Sequence, residues 1–146
     1  MTRPVEAASR YVLVDSSAWF ALTERRDAEH RRASVVAARL ANDHRTLLTT
    51  NYVVAEAHAL LLNRAGRHLA WVFLQEVVAG GDVALVRVGE DDEQRALEIL
   101  ESYHDKDFSL TDAASFAIME RLGIVEAFTF DRHFLQFGFA VLGLAP

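Results

Sequence analysis

Short apolar runs rich in β-branched residues alternate along this chain with longer stretches that have helical periodicity. The clearest run is Tyr11-Val12-Leu13-Val14, which is typical of a strand buried on both faces. This alternation predicts an α/β fold, a central parallel sheet with helices on both faces, because parallel strands need crossover connections. Strands are predicted at residues 11–15, 46–49, 83–88, 128–130 and 139–142. Helices are predicted at residues 18–22, 27–43, 51–63, 67–79, 90–103 and 109–123.

Length and composition suit one domain with a substantial core. The chain has 146 residues, of which 51% are hydrophobic, and it contains neither a repeat nor a linker, so residues 1–146 are predicted to form a single domain. The absence of cysteine excludes disulfides and thiolate metal sites. No stretch approaches the roughly 20 apolar residues of a membrane span. The first residues lack the pattern of a secretory signal, so a cytoplasmic location without a membrane partner is expected.

Four acidic residues lie beside apolar segments at or near the ends of predicted elements. Asp15 and Asp131 close predicted strands, whereas Glu56 and Asp112 fall in the first turns of predicted helices. The carboxyl ends of parallel strands meet at one edge of a sheet, where binding sites form. Clustered carboxylates repel one another unless they share protons or bind cations. A cation-filled carboxylate cluster in an α/β domain is typical of enzymes that cut phosphodiesters.

The net charge of −6 is unusual for a protein that binds nucleic acid, since such proteins normally carry a basic excess. The four carboxylates of the predicted cluster account for much of this charge. Cations bound among them would reverse the local field. The overall charge therefore does not exclude a nucleic-acid substrate.

Asp15 and Glu56 each have an ordinary structural alternative. Asp15 could cap the helix that follows it, although Ser16 and Ser17 could serve as caps as well. A carboxylate directly after a buried strand is costly unless it is paired or binds a metal, which favours a functional interpretation. Glu56 borders the apolar face of its helix, where its stem could pack while its carboxylate reaches water. Both interpretations of these residues stay open at this point.

Asp112 and Asp131 have stronger alternatives. Asp112 stands three residues after Ser109, which is the spacing of a capping box at the start of a helix. Asp131 could form a turn after its strand. The helix that follows Asp112 is largely apolar, however, so the carboxylate is expected at the margin of a buried surface.

Other polar residues flank the four acids. The hydroxyls of Ser16, Thr111 and Thr129 could orient a carboxylate or a metal-bound water, although each also has a routine role in a cap or a strand. Asp107 lies in a polar loop, where it is either solvated or a supporting residue of the site. The histidines show no metal-ligand spacing and are interpreted as structural or surface residues. They are His30, His44, His58, His68, His104 and His133.

Four segments of the chain, in order, resemble the PIN-domain family, and within it the VapC-type toxin ribonucleases of toxin–antitoxin pairs. They are VLVDSSAWFAL, TTNYVVAEAHALL, DFSLTDAASFAIMERLGI and FTFDRHF, and the resemblance extends from about Tyr11 to Leu144. It implies a single PIN-like domain with about five parallel strands between helices. Asp15, Glu56 and Asp112 match the three core acids of the family, and Asp131 matches the fourth, more variable one. Residues 1–10 precede the family pattern and are expected to form a short N-terminal extension.

The resemblance also implies an activity and its partners. The four acids would bind Mg²⁺ or Mn²⁺, and the protein would hydrolyse RNA to products with 5′-phosphate and 3′-hydroxyl ends. A homodimer and an inhibitory antitoxin protein are the expected partners. Arginine side chains of an early helix could contact the RNA backbone, although a solvated helix face explains them more simply. These are Arg25, Arg26, Arg31 and Arg32.

Other classes of function remain open. A receiver domain or an aspartate-nucleophile phosphatase needs a late lysine near its phosphate, but Lys106, the sole lysine, lies in a polar loop. Such a phosphatase also needs Asp-x-Asp, where this chain has Asp15-Ser16-Ser17. A non-catalytic PIN-like binding module and a housekeeping RNA-processing nuclease are further alternatives.

Overall fold

The structure is a computed structural model that describes residues 10–144. Residues 1–9, most of the predicted N-terminal extension, lie outside the described residues, so that extension stays a prediction. The strands are β1 (Tyr11–Val14), β2 (Thr46–Thr50), β3 (Ala84–Val86), β4 (Glu126–Phe128) and β5 (Ala140–Leu142). The helices are α1 (Ser16–Thr23), α2 (His30–Asn42), α3 (Asn51–Arg64), α4 (Arg67–Leu74), α5 (Glu90–Ser102), α6 (Leu110–Leu122) and α7 (His133–Phe137).

The five strands form one parallel sheet in the order β3-β2-β1-β4-β5. From β1 the chain builds outward through β2 and β3, then returns to add β4 and β5 on the other side. The direction of winding therefore changes between β1 and β4, and in open parallel sheets a crevice forms at the carboxyl ends of the strands at this point. The pairing of Val14 with Phe128 brings the residues that follow β1 and β4 side by side.

The two faces of the sheet bury separate apolar clusters. Val12 and Val14 face one cluster and Leu13 faces the other, as the two-residue period of a strand requires. All three side chains are completely buried, which confirms the interpretation of residues 11–14 as a strand covered on both faces. Trp19 and Phe20 are buried in the first cluster, as expected for core residues.

The α/β prediction is confirmed, although the bounds of several predicted elements differ. The strand predicted at residues 83–88 is only Ala84–Val86, and the helix predicted at residues 27–43 begins at His30. The strand predicted at residues 128–130 occupies Glu126–Phe128 instead, because the backbone N–H of Phe130 donates to Ser17 Oγ rather than to a strand. The helix predicted at residues 67–79 is α-helical only to Leu74 and continues as a π-helical turn, Gln75–Ala79. Within residues 10–144, no helix combines the length and apolar character needed to cross a membrane.

The second cluster depends on a group of aromatic rings around Phe116. This ring is completely buried and lies 5.0 Å from Phe108, 4.9 Å from Phe134 and 4.5 Å from Phe137, measured between ring centroids. Aromatic pairs at such distances are stabilising beyond the area that they bury. The group joins α6 to α7 and thereby fixes the position of the loop between β4 and α7.

Phe116→Ala is expected to lower the free energy of unfolding by about 3–5 kcal/mol, because it removes a ring from a filled core and leaves a cavity. Urea unfolding followed by circular dichroism measures the loss. The control is Leu97→Ala, which truncates a side chain that is 57% exposed and should change the stability by only about 0.5 kcal/mol. Equal losses in the two variants would contradict the packing described for Phe116.

Candidate active site

Asp15 lies at the carboxyl end of the central strand, in the crevice between β1 and β4. Its backbone N–H donates to Phe128 O at 3.1 Å, so the pairing with β4 continues to this residue. The side chain is buried, with 3% of its surface exposed. Thr129 Oγ1 donates to Asp15 Oδ2 at 3.1 Å, whereas Oδ1 has no hydrogen-bond partner among the described residues. Buried acceptors normally have a partner, so Oδ1 indicates a place for a proton or a cation.

Thr129 connects Asp15 to Asp131. Its Oγ1 accepts the backbone N–H of Asp131 at 3.0 Å while it donates to Asp15. Ser17 Oγ lies 3.1 Å from Thr129 Oγ1, and since the hydrogen of Thr129 points to Asp15, Ser17 is the donor of this pair. Hydrogen bonds of the Thr129 hydroxyl with Asp15 and with Ser17 thus hold the loop after β4 against the start of α1. Asp131 lies in this loop, three residues beyond β4, and not at the end of a strand as predicted.

Glu56 reaches the site from α3 and is held by Ser16. The helix begins where Thr50 Oγ1 accepts the backbone N–H of Val53, and Glu56 follows on an exposed surface. Ser16 Oγ donates to Glu56 Oε1, which ties this carboxylate to the residue next to Asp15. The prediction that Ser16 or Ser17 caps α1 is therefore wrong. Both residues lie inside α1, and their hydroxyls bond to residues of the site instead.

Asp112 has the structural role that its spacing from Ser109 predicts. Ser109 Oγ accepts the backbone N–H of Asp112, and Asp112 Oδ2 accepts the backbone N–H of Ser109, both at 3.0 Å. This capping box starts α6. It occupies one oxygen of a buried carboxylate and leaves the other available, so the cap and a role in the site are compatible.

His133 is the residue that sequence reasoning missed. Its Nδ1 lies 2.8 Å from Asp112 Oδ2 and 3.3 Å from Asp131 Oδ2, so this histidine, interpreted from the sequence as a structural or surface residue, lies among the predicted site acids. Ligand atoms of Asp112, Asp131 and His133 lie within 4.8 Å of one another, close enough to share one ion. The signal in the sequence was Asp131-Arg132-His133, since an Asp that accepts the N–H two residues on places those side chains together.

The four predicted acids therefore form one connected group. Glu56 is linked to the Asp15 segment through Ser16, Asp15 to Asp131 through Thr129, and Asp131 to Asp112 through His133. Of the predicted supporting residues, Ser16 and Thr129 join this group, whereas Asp107 and Thr111 do not. Asp107 is exposed, and neither Asp107 nor Thr111 makes a side-chain hydrogen bond to the four acids within the described part of the chain.

Burial dominates the electrostatics of the group. It raises the pKa of Asp15 from 3.8 to about 7, and the charges of Asp112 and Glu56 add to the increase. The nearby Ser16 backbone N–H and the hydrogen bond from the Thr129 hydroxyl lower this pKa in part. Near neutral pH the cluster thus favours either a proton on Asp15 or a cation beside it.

Comparison with known proteins agrees with this arrangement. A family model described as the PIN domain matches residues 12–140. The 23S rRNA-specific endonuclease VapC20 of Mycobacterium tuberculosis is 36% identical over 128 residues, which are 88% of this chain and 95% of that protein. Ribonuclease VapC26 of the same species is 29% identical over 124 residues, 84% of this chain and 89% of the relative.

Solved structures show the same fold. The crystal structure of Mycobacterium tuberculosis VapC20, described as a Sarcin-Ricin loop cleaving toxin, superposes with a TM-score of 0.83 at 31% identity, covering 92% of this chain and 99% of the other. FitAcB from Neisseria gonorrhoeae has a TM-score of 0.62 at 13% identity, covers 90% of this chain and 96% of the other, and supports the fold alone.

The fold and the family match define the class: this chain belongs to the PIN-domain family. Its relatives are VapC endonucleases, which confirms the predicted likeness to VapC-type toxin ribonucleases and the endoribonuclease function that followed from it. The phosphoryl-transfer alternatives, a receiver domain or a phosphatase, do not share this family and are set aside.

The raised pKa of Asp15 predicts how stability depends on pH in metal-free buffer. The Asp15 carboxyl keeps its proton up to about pH 7 in the folded state but releases it near pH 3.8 in the unfolded chain. Its contribution to the free energy of unfolding therefore falls as the pH rises from about 4 to about 7. Asp15→Asn removes the titration. We expect the variant to become more stable relative to wild type across this window, by up to about 1.4 kcal/mol per pH unit.

Urea unfolding at a series of pH values, with chelator present, measures this difference. Asp43→Asn serves as the control, because Asp43 is exposed and lies between α2 and β2 at the opposite edge of the sheet. If plots of the free energy of unfolding against pH stay parallel for Asp15→Asn and wild type from pH 4 to 7, the raised pKa of Asp15 is contradicted.

Proposed function

We propose that this protein is a metal-dependent endoribonuclease whose Mg²⁺ or Mn²⁺ is held by Asp15, Glu56, Asp112 and Asp131. The buried, unpartnered Oδ1 of Asp15 in the middle of linked carboxylates carries the proposal. The fit is also chemical, since these four side chains offer oxygen ligands, which Mg²⁺ and Mn²⁺ prefer.

The pattern of hydrogen bonds supports this proposal, because it leaves some carboxylate oxygens free to bind a cation. Thr129 holds Asp15 Oδ2, and Ser109 and His133 hold Asp112 Oδ2, so Oδ1 of each residue remains for the cation. Glu56 is oriented by Ser16 at the exposed side of the cluster. When bound, a divalent cation supplies positive charge and Lewis acidity at the scissile phosphodiester. Products with 5′-phosphate and 3′-hydroxyl ends are part of this proposal.

Of the four arginines considered for the RNA backbone, Arg32 has a contact at the same edge of the sheet. Arg32, in the first turn of α2, donates to Gly143 O at 3.3 Å, and Gly143 follows the carboxyl end of β5. Arg31 is exposed beside it, and Arg25 and Arg26 are exposed in the turn after α1, where Arg26 pairs with Glu24 at 2.7 Å. Guanidinium groups bind phosphates well, and contacts of this kind give affinity without base specificity.

The relatives suggest the RNA. Because VapC20 is named for 23S rRNA, and the two chains align over most of their lengths, we extend the proposal to ribosomal RNA as the substrate class. A ribosomal target would place the action in the cytoplasm. A cognate antitoxin and a homodimer belong to the same proposal and rest on the likeness to VapC proteins.

Asp15→Asn is expected to reduce RNA cleavage by at least about 100-fold, because it removes the most buried charge that would bind the cation. Purified full-length protein is incubated with total cellular RNA and Mg²⁺, Mn²⁺ or chelator, and the new 5′ ends are mapped. Asp43→Asn, at the opposite edge of the sheet, is the matched control and should cut at the wild-type rate. A folded Asp15→Asn variant that cuts as fast as wild type would overturn the proposed site.

The same mapping tests the substrate. We expect new 5′ ends concentrated at a discrete position of 23S rRNA, because VapC20 is named for that RNA. Metal-dependent cuts found only in other RNAs would keep the nuclease but contradict ribosomal RNA as its target. Absence of cutting by folded, antitoxin-free protein across the whole RNA pool would favour the non-catalytic binding module.

A further inference from the structure

His133 joins two acids of the site through a single ring nitrogen. Its Nδ1 lies 2.8 Å from Asp112 Oδ2 and 3.3 Å from Asp131 Oδ2. Carboxylate oxygens are acceptors, so Nδ1 must carry the hydrogen that it donates to Asp112, while Asp131 Oδ2 lies close enough for an electrostatic contact with the same N–H. This holds whether or not Nε2 is also protonated, and the geometry therefore does not depend on the charge of the ring.

The imidazole is held in place from two directions. The backbone N–H of His133 donates to Asp131 Oδ1 at 2.9 Å, which fixes the start of α7. The ring of Phe108 meets the imidazole edge-on, with 5.6 Å between centroids and 74° between planes. The next residue, Phe134, is completely buried and anchors α7 to the core. Packing and backbone contacts thus set the orientation of the ring.

The contact with His133 completes the bonding of Asp112 Oδ2. That oxygen accepts both the backbone N–H of Ser109 at 3.0 Å and the Nδ1–H of His133. Two donors on one oxygen fix the plane of the carboxylate, and its Oδ1 is then the oxygen available to a cation. Asp15 shows the same division, since Thr129 holds its Oδ2 and no described residue bonds its Oδ1.

Asp131 is bound by His133 through both oxygens. Oδ1 accepts the backbone N–H, and Oδ2 lies within reach of Nδ1. One residue therefore couples the loop acid Asp131 to the helix acid Asp112, although both carry negative charge and would otherwise move apart.

We propose that His133 is a positioning residue of the metal centre, which uses its Nδ1–H to hold Asp112 and Asp131 in the arrangement that a divalent cation needs. The inference rests on the proposed function, because it concerns the same site. Hydrogen bonds to the ligands of a metal are typically worth a factor of 10–100 in affinity. His133 is not itself assigned as a ligand, since Nδ1 is engaged by carboxylates and Mg²⁺ prefers oxygen.

Two amide variants distinguish the roles of the two ring nitrogens of His133. In His133→Asn the amide nitrogen occupies the position of Nδ1 and keeps a donor toward Asp112, whereas in His133→Gln the amide nitrogen falls near the position of Nε2. We expect His133→Gln to weaken Mn²⁺ binding about 10–100-fold and His133→Asn to retain most of the wild-type affinity. Isothermal titration of the full-length protein with Mn²⁺ measures this directly. RNA cleavage should follow the same order, with kcat affected more than KM.

The control is His104→Gln, which changes an exposed histidine in the turn after α5 and should leave Mn²⁺ affinity unchanged. If the Asn and Gln variants bind Mn²⁺ with equal affinity, whether as tightly as wild type or equally weakened, the proposal is overturned. A donor at the position of Nδ1 would then make no difference to Mn²⁺ binding. Retention by Gln with loss by Asn would overturn it as well and would make Nε2 a ligand.

A measurement on the wild-type protein avoids the risk that a variant misfolds. Nitrogen-15 NMR of the imidazoles in chelator should show His133 with a hydrogen on Nδ1, and a bare Nδ1 would overturn the proposal. The proposed function can fail separately from the role of His133. If the wild-type protein neither binds Mn²⁺ nor cuts RNA, both proposals are contradicted. If the wild type binds and cuts, and both His133 variants keep its Mn²⁺ affinity, only the role of His133 is contradicted.

Discussion

The site depends on the parallel pairing of β1 with β4 at the point where the winding of the sheet changes direction. That pairing lets the Asp15 N–H donate to Phe128 O and brings the Thr129 hydroxyl to the Asp15 carboxylate. The central strand is apolar from Val12 to Val14, so its first carboxylate, Asp15, comes where the strand ends. A shift of β4 by one residue would turn Thr129 away from Asp15 and put Phe128 in its place.

The site is built at the expense of local stability. A carboxylate buried beside two others is costly, and the raised pKa of Asp15 expresses that cost. The hydroxyl of Thr129 reduces it only in part, because it bonds Oδ2, and Oδ1 has no partner within residues 10–144. In natural proteins, a local cost of this sort at a functional site is commonly offset by stabilising interactions elsewhere in the fold. Here the support is the aromatic group around Phe116, which holds α6 and α7 and with them Asp112 and His133.

The sequence allowed prediction of the sheet, its parallel sense and the four acids, since hydrophobic periodicity and element ends are local signals. Asp112 was predictable even in its capping box, because that motif has a fixed spacing. The roles of Ser16 and Ser17 were not, since their partners lie 40 and 113 residues away in the chain, and the contact of His133 with Asp112, 21 residues away, had only the neighbouring Asp131 as a local signal. A helix-start serine is indistinguishable, in sequence, from one whose hydroxyl bonds across the sheet. The end of β4 was missed for the same reason, because Ser17 takes the N–H that would extend it.

The capping box of Asp112 has a consequence for how this protein can change over generations. One side chain begins α6 and also belongs to the acidic cluster, so selection on folding and selection on chemistry act on the same codon. Loss of the cap costs about 1 kcal/mol, which disfavours drift to an apolar residue even in a lineage that no longer needs the enzyme. Glutamate and glutamine commonly occupy this position of a capping box, so those are the replacements that preserve the cap in such a lineage. Descendants without activity would then keep the fold of the parent.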